Sequence, residues 1–267
     1  MSAPRVSIAM GVYRPRREYL IDSVESIISQ SFENWELVIC NDGSGDGATE
    51  ALLAEVAALD SRIRVVGYGE NRGLAYALNT CVVNAHGEYI ARQDDDDRSA
   101  PQRLAEQISY LDGHPKCAFV GAEAAVYDDG GQWGHIGLEA DPTPRSFLWN
   151  SPYVHPTVVF RKEALAAVGG YRVARETERV EDYDLFMALA AAGYAGHNIK
   201  EDLYEYRIDR ASGKYRPMRV RLNEACVRAR GFKALGLGLK ALPYVVKPVV
   251  LGLVPGKLMG AIRRTRY

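Results

Sequence analysis

Short apolar runs alternate with amphipathic repeats through the N-terminal part of the chain. Val6-Ser7-Ile8-Ala9-Met10, Leu37-Val38-Ile39-Cys40, Ile63-Arg64-Val65-Val66 and Tyr89-Ile90-Ala91 have the length and continuity of buried strands. Between them Leu20, Val24, Ile27, Ile28 and Phe32 recur at helical spacing, as do Leu52, Val56 and Leu59, and then Leu74, Leu78, Cys81 and Val82. Strand and helix alternating in this way imply right-handed crossovers and a parallel sheet covered on both faces. This half is expected to be a nucleotide-binding α/β unit.

Further on the pattern changes. Leu104, Ile108 and Leu111 predict a helix with Pro101 at its start. Phe119-Val120-Gly121, Ala124-Ala125-Val126-Tyr127 and Thr157-Val158-Val159-Phe160 read as strands, with a loop from Gly131 to Pro144. A short helix is expected from Glu163 to Val168, and a longer one carries Leu185, Phe186, Leu189 and Ala192 up to Gly193. Ile199 and then Tyr204-Glu205-Tyr206-Arg207-Ile208 close the body, and the composition shifts near Ser212. Beyond it, Met218, Val220, Leu222, Ala225, Cys226 and Ala229 alternate with arginines. Apolar residues from Phe232 to Ile262 follow, interrupted by lysines and arginines.

Charge sharpens this picture. The net charge of −1 implies no nucleic-acid partner, but Gly231–Tyr267 holds seven Lys/Arg and no acid, leaving −8 on the preceding part. Pro243, Pro248 and Pro255 cut the tail into pieces too short to span a bilayer, which takes about 20 apolar residues. Apolar stretches studded with bases fit a monotopic element on an anionic leaflet. Packing on the body and a homodimer interface are the alternatives. The four cysteines form no CxxC pair and no signal peptide opens the chain, so a reducing, cytoplasmic setting is expected.

The strongest chemical signal is Asp94-Asp95-Asp96-Asp97, placed where a buried strand ends. Carboxylates so close repel one another unless water or a cation neutralises them, and oxygen-only ligands suit Mg²⁺ or Mn²⁺. A solvated acidic turn is the plainer reading, but ligands of open α/β sheets gather outside the carboxyl ends of strands. Gly43-Ser44-Gly45-Asp46-Gly47 is spaced GxGxG after the second strand, unlike a dinucleotide fingerprint. It leaves Asp42 at a strand end, either closing an Asx turn or accepting hydrogen bonds from a base or ribose.

Taken in order, these segments resemble the inverting GT-A glycosyltransferases of family 2. Val6-Ser7-Ile8 and Tyr13 match the family's opening strand and loop, with Arg14 where Asn is usual. Asn41-Asp42-Gly43-Ser44-Gly45-Asp46 matches "DDGSxD" with Asn for the first acid, and Asn71-Arg72-Gly73 through Asn79 matches "NxGxxxxxN". Arg92-Gln93-Asp94-Asp95-Asp96-Asp97 matches "RxDADD", His155-Pro156 and Gly169-Gly170-Tyr171 match "HP" and "GGY", and Glu181-Asp182-Tyr183-Asp184-Leu185 matches "EDxDL".

The resemblance implies an α/β fold of GT-A type, a Rossmann-like nucleotide-binding sheet fused to an acceptor-binding part, with a helical C-terminal tail. A glycosyltransferase domain would occupy 1–212, with a nucleotide-sugar half at about 1–97 and an acceptor half at 98–212. A basic amphipathic membrane-associating segment would occupy 213–267. The resemblance implies hexosyl transfer from a nucleotide-sugar, weighted to UDP, to a glycan or lipid-linked acceptor in surface polysaccharide synthesis. It gives Asp42, Tyr13 and Arg72 the nucleoside, Asp94 and Asp96 a Mn²⁺ or Mg²⁺ ion, and Asp95 a place beside the donor. Asp182 becomes the general base. His155 either lines the donor site or is structural, and Glu181 with Arg172, Arg175 and Arg179 is a weaker candidate for acceptor or phosphate contact. The setting would be the inner face of the plasma membrane. A sugar-nucleotide pyrophosphorylase would instead need a Gly-rich, basic loop after the first strand, which Gly11-Val12-Tyr13 is not. A non-catalytic nucleotide-sugar binding protein is the third alternative.

Overall fold

The computed structural model describes residues 3–210 and 217–253, and these build a nine-stranded mixed sheet. Strands β1 (Val6–Val12), β2 (Trp35–Asp42), β3 (Ile63–Tyr68) and β4 (Tyr89–Arg92) lie parallel in the order β3-β2-β1-β4. Helices α1 (Arg17–Ile28), α2 (Gly47–Leu59) and α3 (Leu74–Asn84) make the crossovers. Alternate side chains of β2 serve two cores. Leu37 and Ile39 pack with Leu20, Val24, Leu53 and Val56 on one face, and Val38 and Cys40 with Ala77, Leu78 and Cys81 on the other. That two-sided burial is why these strands read as unbroken apolar runs.

The chain continues through β5 (Arg98–Ser99), α4 (Arg103–Gly113), β6 (Cys117–Asp128), β7 (Gly131–Ile136), β8 (Val159–Arg161) and α5 (Lys162–Ala167). It ends with α6 (Glu181–Ala191), β9 (Ala195–Arg207), α7 (Met218–Ala234) and α8 (Leu242–Leu253). Strand β8 runs antiparallel to both β4 and β6, and β9 lies between β6 and β5. Here the structure departs from the sequence expectations. The two runs at 119–121 and 124–127 are one strand, β6, and Ile199 with 204–207 is another, β9, which ends before Ile208. The segment expected to be a loop from Gly131 contains β7, and α4 begins at Arg103, after Pro101. Glu123 hid the continuity of β6, since it is a buried acid held by Lys200 and by the Leu138 amide at 3.0 Å.

One buried cation ties the two parts together. Arg103 is fully buried and donates from Nε to Gln107 (3.0 Å) and from Nη1 to Gln93 (3.0 Å) and Ser99 (2.8 Å). Its Nη2 reaches the carbonyls of Arg92 (2.8 Å) and Pro156 (3.1 Å).

At the C-terminal end, α7 lies so close to α6 that a Cβ on Gly231 would sit 2.3 Å from the Met187 sulfur. Helix α8 leaves Leu242, Val246, Val250 and Leu253 exposed at one-face spacing, each more than half accessible. Beside them the Lys247 ammonium lies 3.6 Å over the ring of exposed Trp149. No helix among the described residues is long and apolar enough to cross a membrane. The expected boundary at 212/213 and the tail residues 254–267 lie outside the described residues.

Candidate active site

Strand β4 delivers the acid run, and the four carboxylates are not equivalent. Asp94, Asp95 and Asp96 are half-buried, whereas Asp97 is fully buried and accepts from the Arg207 amide at 2.7 Å. The loop backbone is fixed from three elements. The Asp94 carbonyl accepts from Ser23 Oγ of α1 (2.8 Å), and the Asp94 amide donates to the Tyr204 hydroxyl of β9 (3.2 Å). The Asp96 carbonyl accepts from Tyr127 of β6 (3.0 Å) and from Arg207 Nε (3.1 Å).

Behind the acids sits Arg92, fully buried, with Nη2 2.5 Å from Asp94 Oδ1 and Nη1 on the Gln93 carbonyl. One guanidinium does not neutralise the cluster. Burial, reinforced by Asp96 and Asp94, pushes Asp95 up to about 7 against the pull of Arg92. Burial and the same neighbours push Asp97 well above the ordinary carboxylate range. An oxygen-only set with unrelieved negative charge at a strand end fits a hard divalent ion, with Asp94 and Asp96 as the half-exposed donors.

Helix α6 brings the second acidic pair. Glu181 and Asp182 occupy its first turn, where backbone amides favour negative charge. Burial and then Asp182 push Glu181 up to about 7, opposed by the backbone amides of Glu181 and Arg179 and by Arg92. Tyr171 lies within electrostatic reach of both acidic groups. Burial raises its hydroxyl, Arg92 lowers it, and Asp182, Glu181 and Asp94 each raise it further. That hydroxyl is 2.7 Å from His155 Nε2, and burial together with Arg92 holds His155 well below its ordinary value, as a neutral ring. Asn79 in turn grips Tyr171 by both backbone groups, donating to its carbonyl at 2.7 Å and accepting from its amide at 2.9 Å. Gly170 allows this approach at φ 72°, since a Cβ there would meet Asn79 Oδ1 at 2.6 Å.

The proposed nucleoside residues lie at the carboxyl edge of β1 and β2. Asp42 is buried, and its carboxylate accepts from Tyr68 Oη (2.6 Å), Asn71 Nδ2 (2.9 Å), and the amides of Arg72 (2.8 Å) and Gly73 (2.9 Å). It thereby shapes the loop that leads into α3. The Arg72 guanidinium stacks 3.7 Å over Tyr76, and Tyr13 is 46% exposed. The Arg14 amide donates to Ser44 Oγ at 3.0 Å, joining the Tyr13 loop to the Asp42 loop.

The three arginines separate. Arg172 is bidentate on Asp184 (3.0 and 3.1 Å) and bonded to Glu176 (2.5 Å), whereas Arg175 and Arg179 are exposed. The closing Asn79 of the third motif supports Tyr171, and two residues that the motifs did not single out also contribute, the buried Arg103 and Arg207. A separate cluster of Glu123, His135 and Asp202 has ligand atoms within 4.8 Å of one another. It lies across β6, β7 and β9, with His135 Nε2 3.3 Å from Glu123 and 3.0 Å from Asp202 and Lys200 on the other Glu123 oxygen. It forms an ion-paired group around buried Glu123, hidden from sequence reading because β7 reads as loop.

A strand-end acid cluster suits a metal-bound anion, and a carboxylate in the first turn of a helix suits deprotonation of a hydroxyl. Known proteins resemble this chain over most of its length. A family model described as glycosyl transferase family 2 matches residues 7–175. EpsE of Bacillus subtilis (strain 168), a protein named for glycosyltransferase activity, is 36% identical over 265 residues, covering 99% of this chain and 95% of that protein. The amylovoran biosynthesis glycosyltransferase AmsE of Erwinia amylovora is 28% identical over 204 residues, covering 75% of each. Among solved structures, the mannosyltransferase PcManGT from Pyrobaculum calidifontis, in complex with GDP-Man and Mn²⁺, superposes with TM-score 0.63 at 19% identity, covering 99% of this chain and 81% of that one. TarS 1–349 of S. aureus with UDP-GlcNAc gives 0.66 at 16% identity, covering 93% and 71%. These likenesses establish the GT-A fold, and the match through the strand ends that carry Asp42 and Asp94–Asp97 settles the family: the chain belongs to glycosyl transferase family 2.

Proposed function

We propose that this glycosyltransferase moves a sugar, with inversion, from a UDP-linked donor to a glycan or polyprenyl-linked acceptor during surface polysaccharide synthesis. The observation that carries the proposal is the acid run at the end of β4, backed by buried Arg92 at 2.5 Å from Asp94, together with the acidic first turn of α6. The AmsE and TarS likenesses support the polysaccharide and UDP parts of it. Tyr13, Asp42 and Arg72 take the nucleoside, while Asp94 and Asp96, flanked by Asp95, hold Mn²⁺ or Mg²⁺. A divalent ion there supplies Lewis-acid stabilisation of the leaving diphosphate. Asp182 accepts the proton of the incoming hydroxyl, so a single displacement suffices without a covalent intermediate. His155 stays neutral and fixes Tyr171 beneath the donor. Arg175 and Arg179 are the arginines available to an acceptor phosphate, since Arg172 is bound to Asp184 and Glu176. The acid-free α8 seats the enzyme on the inner face of the plasma membrane.

The test is a nucleotide-sugar panel read by thermal stabilisation with and without Mn²⁺, followed by transfer assays on the best donor. Asp182→Asn is expected to lose about a hundredfold or more in kcat while keeping donor-dependent stabilisation. Asp96→Ala is expected to lose both. Undiminished transfer by Asp182→Asn would remove the base from the mechanism.

A further inference from the structure

Arg207, the last residue of β9, touches the acid loop twice without contributing a carboxylate to it. Its amide donates to Asp97 Oδ1 at 2.7 Å, and its Nε donates to the Asp96 carbonyl at 3.1 Å. The guanidinium is held from every side. It lies 3.8 Å over the Tyr19 ring of α1 and 4.5 Å over the Tyr127 ring of β6, and its Nη1 donates to Asp129 at 2.7 Å. The Tyr19 hydroxyl donates to the same carboxylate at 3.2 Å, and the Tyr127 hydroxyl gives the Asp96 carbonyl its second donor at 3.0 Å. A planar cation with several fixed donors, stacked on two rings, suits such a junction where lysine would not.

We propose that Arg207 and Tyr127 act as a clamp that aims the Asp96 carboxylate, making Arg207 a positioning residue for divalent-ion binding. The inference rests on Asp96 being a ligand, as the proposed function has it. Small hard cations demand near-ideal ligand geometry, so a carboxylate is useful only if its backbone is fixed. Asp96 has no helix or strand of its own to fix it; the two donors on its carbonyl do that work. They come from 31 and 111 residues away in the chain.

The experiment is calorimetric titration of the full chain with MnCl₂ in the presence of UDP, alongside melting curves in EDTA and transfer rates at varied Mn²⁺. Tyr127→Phe and Arg207→Lys are each expected to weaken Mn²⁺ binding about tenfold, the usual effect of losing an outer-shell hydrogen bond. Transfer at saturating Mn²⁺ should recover most of its rate, and Tyr127→Phe should melt in EDTA like the parent. The double variant should be little worse than the weaker single, because both changes loosen one carbonyl. Parental Mn²⁺ affinity in Tyr127→Phe, with affinity lost in Asp96→Ala, would overturn the clamp alone. Parental affinity in Asp96→Ala would overturn the site assignment and the clamp with it. Should Arg207→Lys fold poorly, Tyr127→Phe decides.

Discussion

Three carboxylates of this protein show that what an acid does depends on the donors that reach it. Asp97 is buried with one oxygen on an amide and the other without a partner, and its proton affinity rises. Asp42 is buried among four donors and organises a loop. Glu36 of β2 is the third case. Burial alone would raise it, but Ser7 Oγ (2.6 Å), the His86 amide (2.7 Å), Arg64 and the His86 ring outweigh that and hold it down at about 2. Its unfolded value is near the ordinary 4.5, so the unfolded chain binds the extra proton between pH 4.5 and 2. The contribution is therefore fully present above pH 4.5 and is lost as pH falls through that window. For this nearly buried group it is worth on the order of 2–3 kcal/mol. Urea titrations between pH 6 and pH 3 should show the parent losing more than half of that relative to Glu36→Gln; parallel losses would refute the assignment.

At the scale of elements, legibility followed burial geometry. Strands β1, β2 and β4 are covered on both faces, so their sequences are apolar throughout and stood out. Strands β6 and β9 were each read as two pieces because paired polar residues interrupt them, Glu123 in one and the Lys200–Asp202 bulge in the other. Motif residues were legible wherever a strand end or helix start exposes them, as with Asp94 and Asp182. The supports Arg103 and Arg207 were not, because both work through partners distant in the chain. Helix α8 was legible only as an apolar, basic segment; its exposed stripe needed the packing of α7 to define it. Leu242, Val246 and Val250 should enter the headgroup region of anionic vesicles. Sedimentation with phosphatidylglycerol vesicles should exceed that with phosphatidylcholine, and Val246→Glu with Val250→Glu should lower the bound fraction at least tenfold. A concentration-dependent dimer with no vesicle binding would assign the stripe to a second copy instead.

For the whole molecule, the decisive contact is Arg103, which spans α4, β4, β5 and the 155–157 turn. Burial draws its guanidinium down to about 10, so it remains charged at neutral pH. Arg103→Met would fill the space yet remove the donor from the Arg92 and Pro156 carbonyls and leave Gln93 Oε1 with Ser99 alone. A loss of about 3 kcal/mol or more is expected, read as a lower urea midpoint at unchanged m-value. Arg103→Lys should fall between the two, since an ammonium reaches fewer acceptors. An unchanged midpoint in Arg103→Met would mean that water replaces the guanidinium.

The place of β9 has a consequence for biosynthesis. The final strand of the body is inserted between β6 and β5, and its last residue closes onto Asp97 across 110 residues of chain. Synthesis proceeds from the other end, so β1 to β4 can assemble on the ribosome while the acid loop still lacks its buttress. A nascent polypeptide that already carries Asp94–Asp97 is therefore expected to grip a divalent ion only weakly until Arg207 has left the exit tunnel.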